Sequence, residues 1–312
     1  MQLLGIHHLT AVTANARGNL DFYTENLGLR LVKKTVNQDD VSAYHLFYAD
    51  AKGTPGTDIT FFDWPAARER RGTRSISRTA FRVSDEATLH WWRKRFALLG
   101  VQNSGIGNLD NRPTIEFEDP EGQRLALVVD ERHGHLQPWE KSPVPPEHQI
   151  RGLGPITLSI SNFAATQRLL TTVLNMRHAR EYSQGGRAIH VFEMGAGGAA
   201  AELHLRIEPD LETARLGAGG VHHVAFRTPS IDEYDAWFER LKQMNIPSSG
   251  PIDRFYFRSL YFREPNGILF EIATDGPGFA TDEPLDQLGE HLALPPFLEN
   301  RRREIEAGLK PI

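Results

Sequence analysis

Two histidine pairs open short apolar runs in this chain, Gly5-Ile6-His7-His8-Leu9-Thr10 and Gly220-Val221-His222-His223-Val224-Ala225-Phe226. A third chemically loaded position is Glu271, an acid inside the run Ile268-Leu269-Phe270-Glu271-Ile272-Ala273. Two imidazoles and one carboxylate are the ligand set of a mononuclear non-haem iron(II) centre with open coordination positions. A carboxylate among such neighbours is costly to bury without a metal or a partner, the plain alternative being a salt bridge to a nearby arginine. Successive strand residues point to opposite faces, so only one imidazole of each pair can face a shared ion in a regular strand. His8 shares its face with Thr10, which leaves His7 and His222 either as hydrogen-bond partners that orient the ligands or as surface residues. Tyr261 and Arg254 have groups able to bind a phenolate oxygen; otherwise they are an edge-strand aromatic and a solvated base.

Composition narrows the chemistry. The 312 residues suffice for two compact domains of an ordinary globular class. With no cysteine there are no disulfides, iron–sulfur clusters or thiolate zinc sites, so any metal is held by nitrogen and oxygen. A net charge of -5 with acids and bases interspersed gives no basic stripe for nucleic acid, and a small molecule is the expected partner. No apolar run is long enough to span a bilayer, and Met1-Gln2-Leu3-Leu4-Gly5 lacks a basic region followed by an apolar stretch. A cytoplasmic location is therefore expected, with no membrane partner; a homo-oligomer is left open. The cluster Gly195-Ala196-Gly197-Gly198 lacks the strand-to-helix context of a dinucleotide site and reads as a loop. His45 and His190 sit in apolar β-like segments and are expected to serve packing.

Positioning these residues falls to an internal repeat. Gly5 to Arg30 aligns with Gly152 to Arg177, and Ser77 to Val101 aligns with His222 to Ile246, at nearly the same offset. Each half holds two modules that themselves look alike. A module opens with alternating apolar residues, as in Val224-Ala225-Phe226-Arg227, and continues into an amphipathic helix, as over 232–241. Turn-bounded strands follow, as over 41–48 and 58–62, separated by Gly53-Thr54-Pro55-Gly56. The expected fold is α+β, with four βαβββ modules. The expected divisions are an N-terminal domain over 1–135, a linker rich in proline and charge over 136–150, a C-terminal domain over 151–275 and an extension over 276–312. The extension is expected to pack on a domain surface and to carry no chemistry. Under the alignments His8 faces Pro155, His223 faces Arg78 and Glu271 faces Ala126, so one metal site shared by the first and last modules is expected.

These residues resemble the vicinal oxygen chelate superfamily (glyoxalase, bleomycin resistance and extradiol dioxygenase proteins), from Gly5 to about Thr274. The resemblance implies two tandem domains whose mixed, cup-shaped sheets surround a divalent metal. More narrowly, the paired GIHHLT and GGVHHVAF segments, the stretch Gly53 to Phe62 and DRFYFRSLYFREPNGILFEIAT from Asp253 to Thr274 resemble the hydroquinone branch of ring-cleaving dioxygenases. That branch implies Fe(II), with Mn(II) as an alternative, held by His8, His223 and Glu271. It implies supporting roles for His7, Thr10, His222, Arg254 and Tyr261, and a small aromatic substrate with O2 as co-substrate, hydroquinone-like or catechol-like. Phe61, Phe62, Phe255 and Phe257 are candidates to wall an apolar pocket for the ring. The alternatives are a glyoxalase-type metal-dependent lyase or isomerase and a metal-dependent thiol transferase. The first usually needs a fourth protein ligand, and the segment Thr57 to Phe62 offers no glutamate.

Overall fold

Gly5 and Gly152 open the first strands of the two repeated halves with φ of +124° and +109°. Glycine is required there, because a Cβ would lie 2.8 Å from a carbonyl oxygen in each case, that of Ala200 or of Gly56. The duplication thus carries its backbone geometry with it. The computed structural model describes residues 1–132 and 137–312.

Four βαβββ modules follow one another. The first comprises β1 (Ile6–Thr13), α1 (Ala16–Asp21), β2 (Arg30–Asn37), β3 (Asp40–Ala49) and β4 (Asp58–Asp63). The second comprises β5 (Ser75–Val83), α2 (Glu86–Leu99), β6 (Asn103–Leu109), β7 (Arg112–Glu118) and β8 (Arg124–Val129). The third comprises β9 (Leu153–Ile160), α3 (Phe163–Arg168), β10 (Arg177–Gln184), β11 (Arg187–Glu193) and β12 (Glu202–Ile207). The fourth comprises β13 (Val221–Thr228), α4 (Ile231–Gln243), β14 (Ile252–Asp253), β15 (Arg258–Arg263) and β16 (Leu269–Thr274). Local chemistry starts and stops the helices. Asp85 accepts from Thr88 N at 2.7 Å and Ser230 accepts from Glu233 N at 3.2 Å as N-caps, and Gly100 ends α2 at φ +70°. Both α1 and α3 start on an asparagine cap and end in a π-helical turn, a repeat preserved in detail.

The strands form two eight-stranded sheets, ordered β14-β15-β16-β13-β1-β4-β3-β2 and β10-β11-β12-β9-β5-β8-β7-β6. Each sheet draws one module from each half of the chain: the first and last modules make one, the middle two make the other. Antiparallel pairing of β1 with β13 and of β5 with β9 joins the modules. The first sheet curls so strongly that its opposite edges meet, where Arg254 at the end of β14 is bonded to Asp39 in the turn between β2 and β3. Trp92, Trp237, Tyr23 and Tyr234 are fully buried in a continuous core of residues from all four modules. No helix among the described residues is long and apolar enough to cross a membrane.

Leu136, where the expected linker begins, lies outside the described residues, as do His133, Gly134 and His135 of the expected N-terminal domain. From Gln137 onward the chain lies on the first module: Ala51 N donates to Gln137 O at 3.0 Å and Ser142 Oγ to Gly28 O at 2.7 Å. The C-terminal extension also packs there, with Ala293 N donating to Lys34 O at 2.9 Å. It does more than cover a surface. Its Asp282 and Glu283 pair with the buried Lys33 ammonium, and Asp282 accepts from the Tyr256 phenol at 2.9 Å, bracing the loop that carries Arg254, Tyr256 and Phe257.

Candidate metal centre

Strand register assembles the site. His8, Ala225, Glu271 and Tyr261 are successive Cα partners across β1, β13, β16 and β15, while His223 lies opposite Thr10. Directly opposed residues share a face, so His8, Glu271 and Tyr261 emerge together, with His223 two residues along from Ala225 on that same face. Glu271 Oε2 lies 2.9 Å from His223 Nε2 and 3.2 Å from His8 Nε2, and the two imidazole nitrogens are 3.4 Å apart. All three side chains are buried. No arginine pairs with Glu271 among the described residues, so the plain salt-bridge alternative fails.

Hydrogen bonding around the trio defines what it can hold. His7 Nε2 lies 3.0 Å from the Thr274 carbonyl, which can only accept, so His7 Nε2 carries the hydrogen. Burial pushes the His7 pKa down to about 3, so the ring is neutral and its Nδ1 is an acceptor. His8 Nδ1, 2.9 Å away, must then be the donor, which directs His8 Nε2 at the Glu271 carboxylate. His222 makes the matching contact, with its Nδ1 2.8 Å from His223 Nδ1 and its pKa pushed down to about 3 by burial. Burial alone would raise the Glu271 carboxyl, but the His8 and His223 imidazoles hold it well below the usual carboxylate range. Neither Glu271 oxygen receives a well-formed hydrogen bond, although both are buried. Two imidazole nitrogens and a buried carboxylate oxygen within 3.4 Å of one another need positive charge between them, as protons on the nitrogens or as a metal ion. Nitrogen and oxygen donors at these separations fit a divalent transition metal, and the site passes this test.

A cavity of about 40 Å³ lies beside the trio, lined by His8, His223, Thr10, Tyr261, Arg254, Phe62 and Phe257 among the residues singled out in the sequence. Phe61 turns instead into the core against Tyr23, and Phe255 stacks near Tyr256 without reaching the cavity. His45 lines the wall rather than merely packing. Thr60 Oγ1 donates to Thr10 Oγ1 at 2.8 Å, so His45 Nε2 donates to Thr60 Oγ1 at 2.9 Å. His190 lies elsewhere, stacked on Phe163 at 4.0 Å between ring centroids. Thr35, Gln38, Asp39, Phe47 and Tyr256 also line the cavity. Residue type and spacing did not mark them, because they reach the site only through the curl of the sheet. Burial and the nearby Glu271 charge raise the Tyr261 phenol above its ordinary pKa, so it stays protonated at neutral pH.

Two other groupings among the described residues bring potential ligand atoms within 4.8 Å. Asp110, Glu202 and His204, in the second sheet, are already neutralised: Arg112 makes two 2.7 Å bonds to Glu202, and Arg180 pairs with both Asp110 and Glu202. His178, Glu181 and His190 lie at the sheet edge, Glu181 more than half exposed. Of the three groupings, only the first is fully buried with its carboxylate free of arginine. His222→Ala is expected to weaken metal binding by about 10–100-fold, the usual effect of removing a group that orients a ligand, as read by competition with a chelator. Unchanged affinity would make its bond to His223 incidental.

A Bacillus subtilis (strain 168) protein named as a ring-cleaving dioxygenase, MhqA, is 48% identical over 315 residues, spanning 100% of both chains. A Sphingobium indicum protein named chlorohydroquinone/hydroquinone 1,2-dioxygenase is 30% identical over 313 residues, covering 96% of this chain and 94% of its own. A solved Bacillus subtilis structure titled as a dioxygenase superposes with a TM-score of 0.93 at 35% identity, covering 100% of this chain and 98% of that one. Glyoxalase I from Zea mays shares the fold, with a TM-score of 0.64 at 14% identity over 92% of this chain and 97% of its own. Residues 5–127 and 152–272 match the family profile, and with the paired modules, the joined sheets and the relatives together, the chain belongs to the Glyoxalase/Bleomycin resistance protein/Dioxygenase superfamily.

Proposed function

We propose that this protein is an iron(II)-dependent ring-cleaving dioxygenase that inserts both atoms of O2 into a hydroquinone-like aromatic, next to a hydroxyl-bearing carbon. The observation that carries the reading is the buried His8–His223–Glu271 trio with two unpartnered carboxylate oxygens, facing a cavity walled by Phe62, Phe257, Tyr261 and Arg254. Iron(II) bound there supplies open coordination positions and the one-electron chemistry by which triplet oxygen reacts with an electron-rich ring. The remaining work belongs to the chain. Phe62 and Phe257 offer apolar faces to a ring, while Arg254, whose guanidinium carbon lies 5.5 Å from the Tyr261 ring centroid, faces the oxygen side of the substrate. The protonated Tyr261 phenol can donate a proton as the ring opens, while His7 holds the His8 imidazole in one orientation and His222 bonds to His223 Nδ1.

A three-ligand site favours this reading over the glyoxalase-type one. Thr10 opposes Thr60 in β1 and β4 as Ala225 opposes Glu271 in β13 and β16, so Thr60 stands where a counterpart of Glu271 would be. Its hydroxyl is engaged with Thr10 and His45. The test is oxygen uptake by anaerobically iron(II)-reconstituted protein, given substituted hydroquinones and catechols in parallel, with His223→Ala as control. Substrate-dependent uptake lost in the variant is expected. Absence of uptake in metal-loaded protein, with turnover of a hemithioacetal under anaerobic conditions, would reverse the assignment.

A further inference from the structure

Residues from opposite edges of the first sheet meet in the cavity lining, with Asp39 on its solvent-exposed side. Asp39 accepts two hydrogen bonds from the Arg254 guanidinium, at 3.1 and 2.8 Å, and Gln38 Nε2 donates to the Arg254 carbonyl at 2.8 Å. The same Arg254 guanidinium lies over the Tyr261 ring. Behind this pair the cavity measures about 40 Å³. A benzene ring occupies an engineered apolar cavity of about 150 Å³. With the two edges joined, there is room for a few waters and none for an aromatic substrate.

The second sheet is the internal comparison. Its opposite edges are also joined by an ion pair, with the charges exchanged: the acid is Asp110 between β6 and β7, and the base is Arg180 on β10. There the acid is 3% exposed and tied into a network with Arg112 and Glu202, whereas Asp39 is 72% exposed and pairs with Arg254 alone. A buried, fully paired network is costly to break; an exposed pair is screened by salt and opens readily. Both sheets thus join their edges by an acid–base pair, buried and networked in the second sheet, exposed and single in the first.

We propose that Asp39 controls access to the candidate metal centre: its pair with Arg254 opens to pass an aromatic ring and, on closing, returns Arg254 to its place over Tyr261. Asp39 is thus a positioning residue, acting on substrate through Arg254. The substrate named here rests on the function proposed above, but opening of the mouth can be read without metal or substrate. The chain has no cysteine, so Thr35→Cys installs a single thiol on the cavity wall, at a residue 2% exposed whose hydroxyl has no hydrogen-bond partner. Its reaction with a dithiobis-nitrobenzoate reagent reports how often the mouth opens.

With Asp39 in place, labelling is expected to be slow at low salt and to accelerate as salt screens the pair. Adding Asp39→Ala is expected to speed low-salt labelling about fivefold and to flatten the salt response, in line with loss of one exposed ion pair. Asp39→Glu should restore both the slow rate and its salt dependence, which a merely structural role for Asp39 would not predict. As a second measurement that needs no cysteine, backbone amide exchange over 37–40 and 254–257 should rise together in Asp39→Ala. Equal labelling with and without Asp39, independent of salt, overturns the proposal, as does unchanged exchange in both segments. Failure to bind iron or cleave rings would count instead against the proposed function.

Discussion

Glu271→Gln is expected to give a folded protein that no longer retains iron and shows no substrate-dependent oxygen uptake. The amide keeps the size of the side chain and removes its charge, so the change acts on the cation and hardly on packing. Outer-shell partners of metal ligands are worth about 10–100-fold in affinity, and loss of a ligand from a set of three should exceed that. Stability with and without iron separates the metal role from an ordinary ion pair. His8 and His223 hold the buried Glu271 carboxylate in its charged form in the metal-free protein as well, so the response to iron separates the roles and the metal-free stability does not. Iron should raise the melting temperature of the wild type alone, because a ligand stabilises only the state that binds it. A wild-type melting temperature that ignores iron would return Glu271 to a structural role.

Tyr261→Phe is expected to lower turnover by about a hundredfold or more while iron content stays at the wild-type level, the usual scale for removing a positioned acid. Tyr261 is the cross-strand neighbour of Glu271, and its ring lies 5.6 Å from that of His223, close enough to the site for its hydroxyl to act on substrate. Burial and the Glu271 charge keep that hydroxyl protonated, so its loss removes a donor. The deficit should fall on kcat more than on KM if the donated proton matters after substrate has bound. Unchanged turnover would remove Tyr261 from the chemistry and leave Arg254 as the polar group on that wall.

The juxtaposition of His8, His223 and Glu271 was legible because the duplication places equivalent residues at equivalent points of paired strands. Once GIHHLT and GVHHVA are read as matching strand starts, the two imidazoles belong together. The acid stands out because nothing apolar explains it. Helix α4 and strands β3 and β4 were likewise legible from periodicity and from the glycine-proline turn between the strands. Facing was harder. Phe61 and Phe62 are adjacent, and alternation sends one into the core and the other to the cavity, a choice that depends on which side of the sheet faces the site. His45 and His190 sit in similar runs, yet one contacts the Thr10–Thr60 pair and the other stacks on α3. Gln38 and Asp39 were silent, because a turn of polar residues carries no trace of the distant edge that curvature brings to meet it.

The pairing of first module with last has a consequence for how the protein is made. Strand β1 leaves the ribosome about two hundred residues before its antiparallel partner β13 and the acid-bearing β16. Until then β1 has an open edge toward its missing partner, the kind of surface that invites wrong pairings. Contacts so far apart in sequence also close slowly. A nascent or prematurely terminated chain lacking Glu271 holds only part of the trio, so tight metal uptake should mark completed chains, and abundant iron could not stabilise an unfinished one.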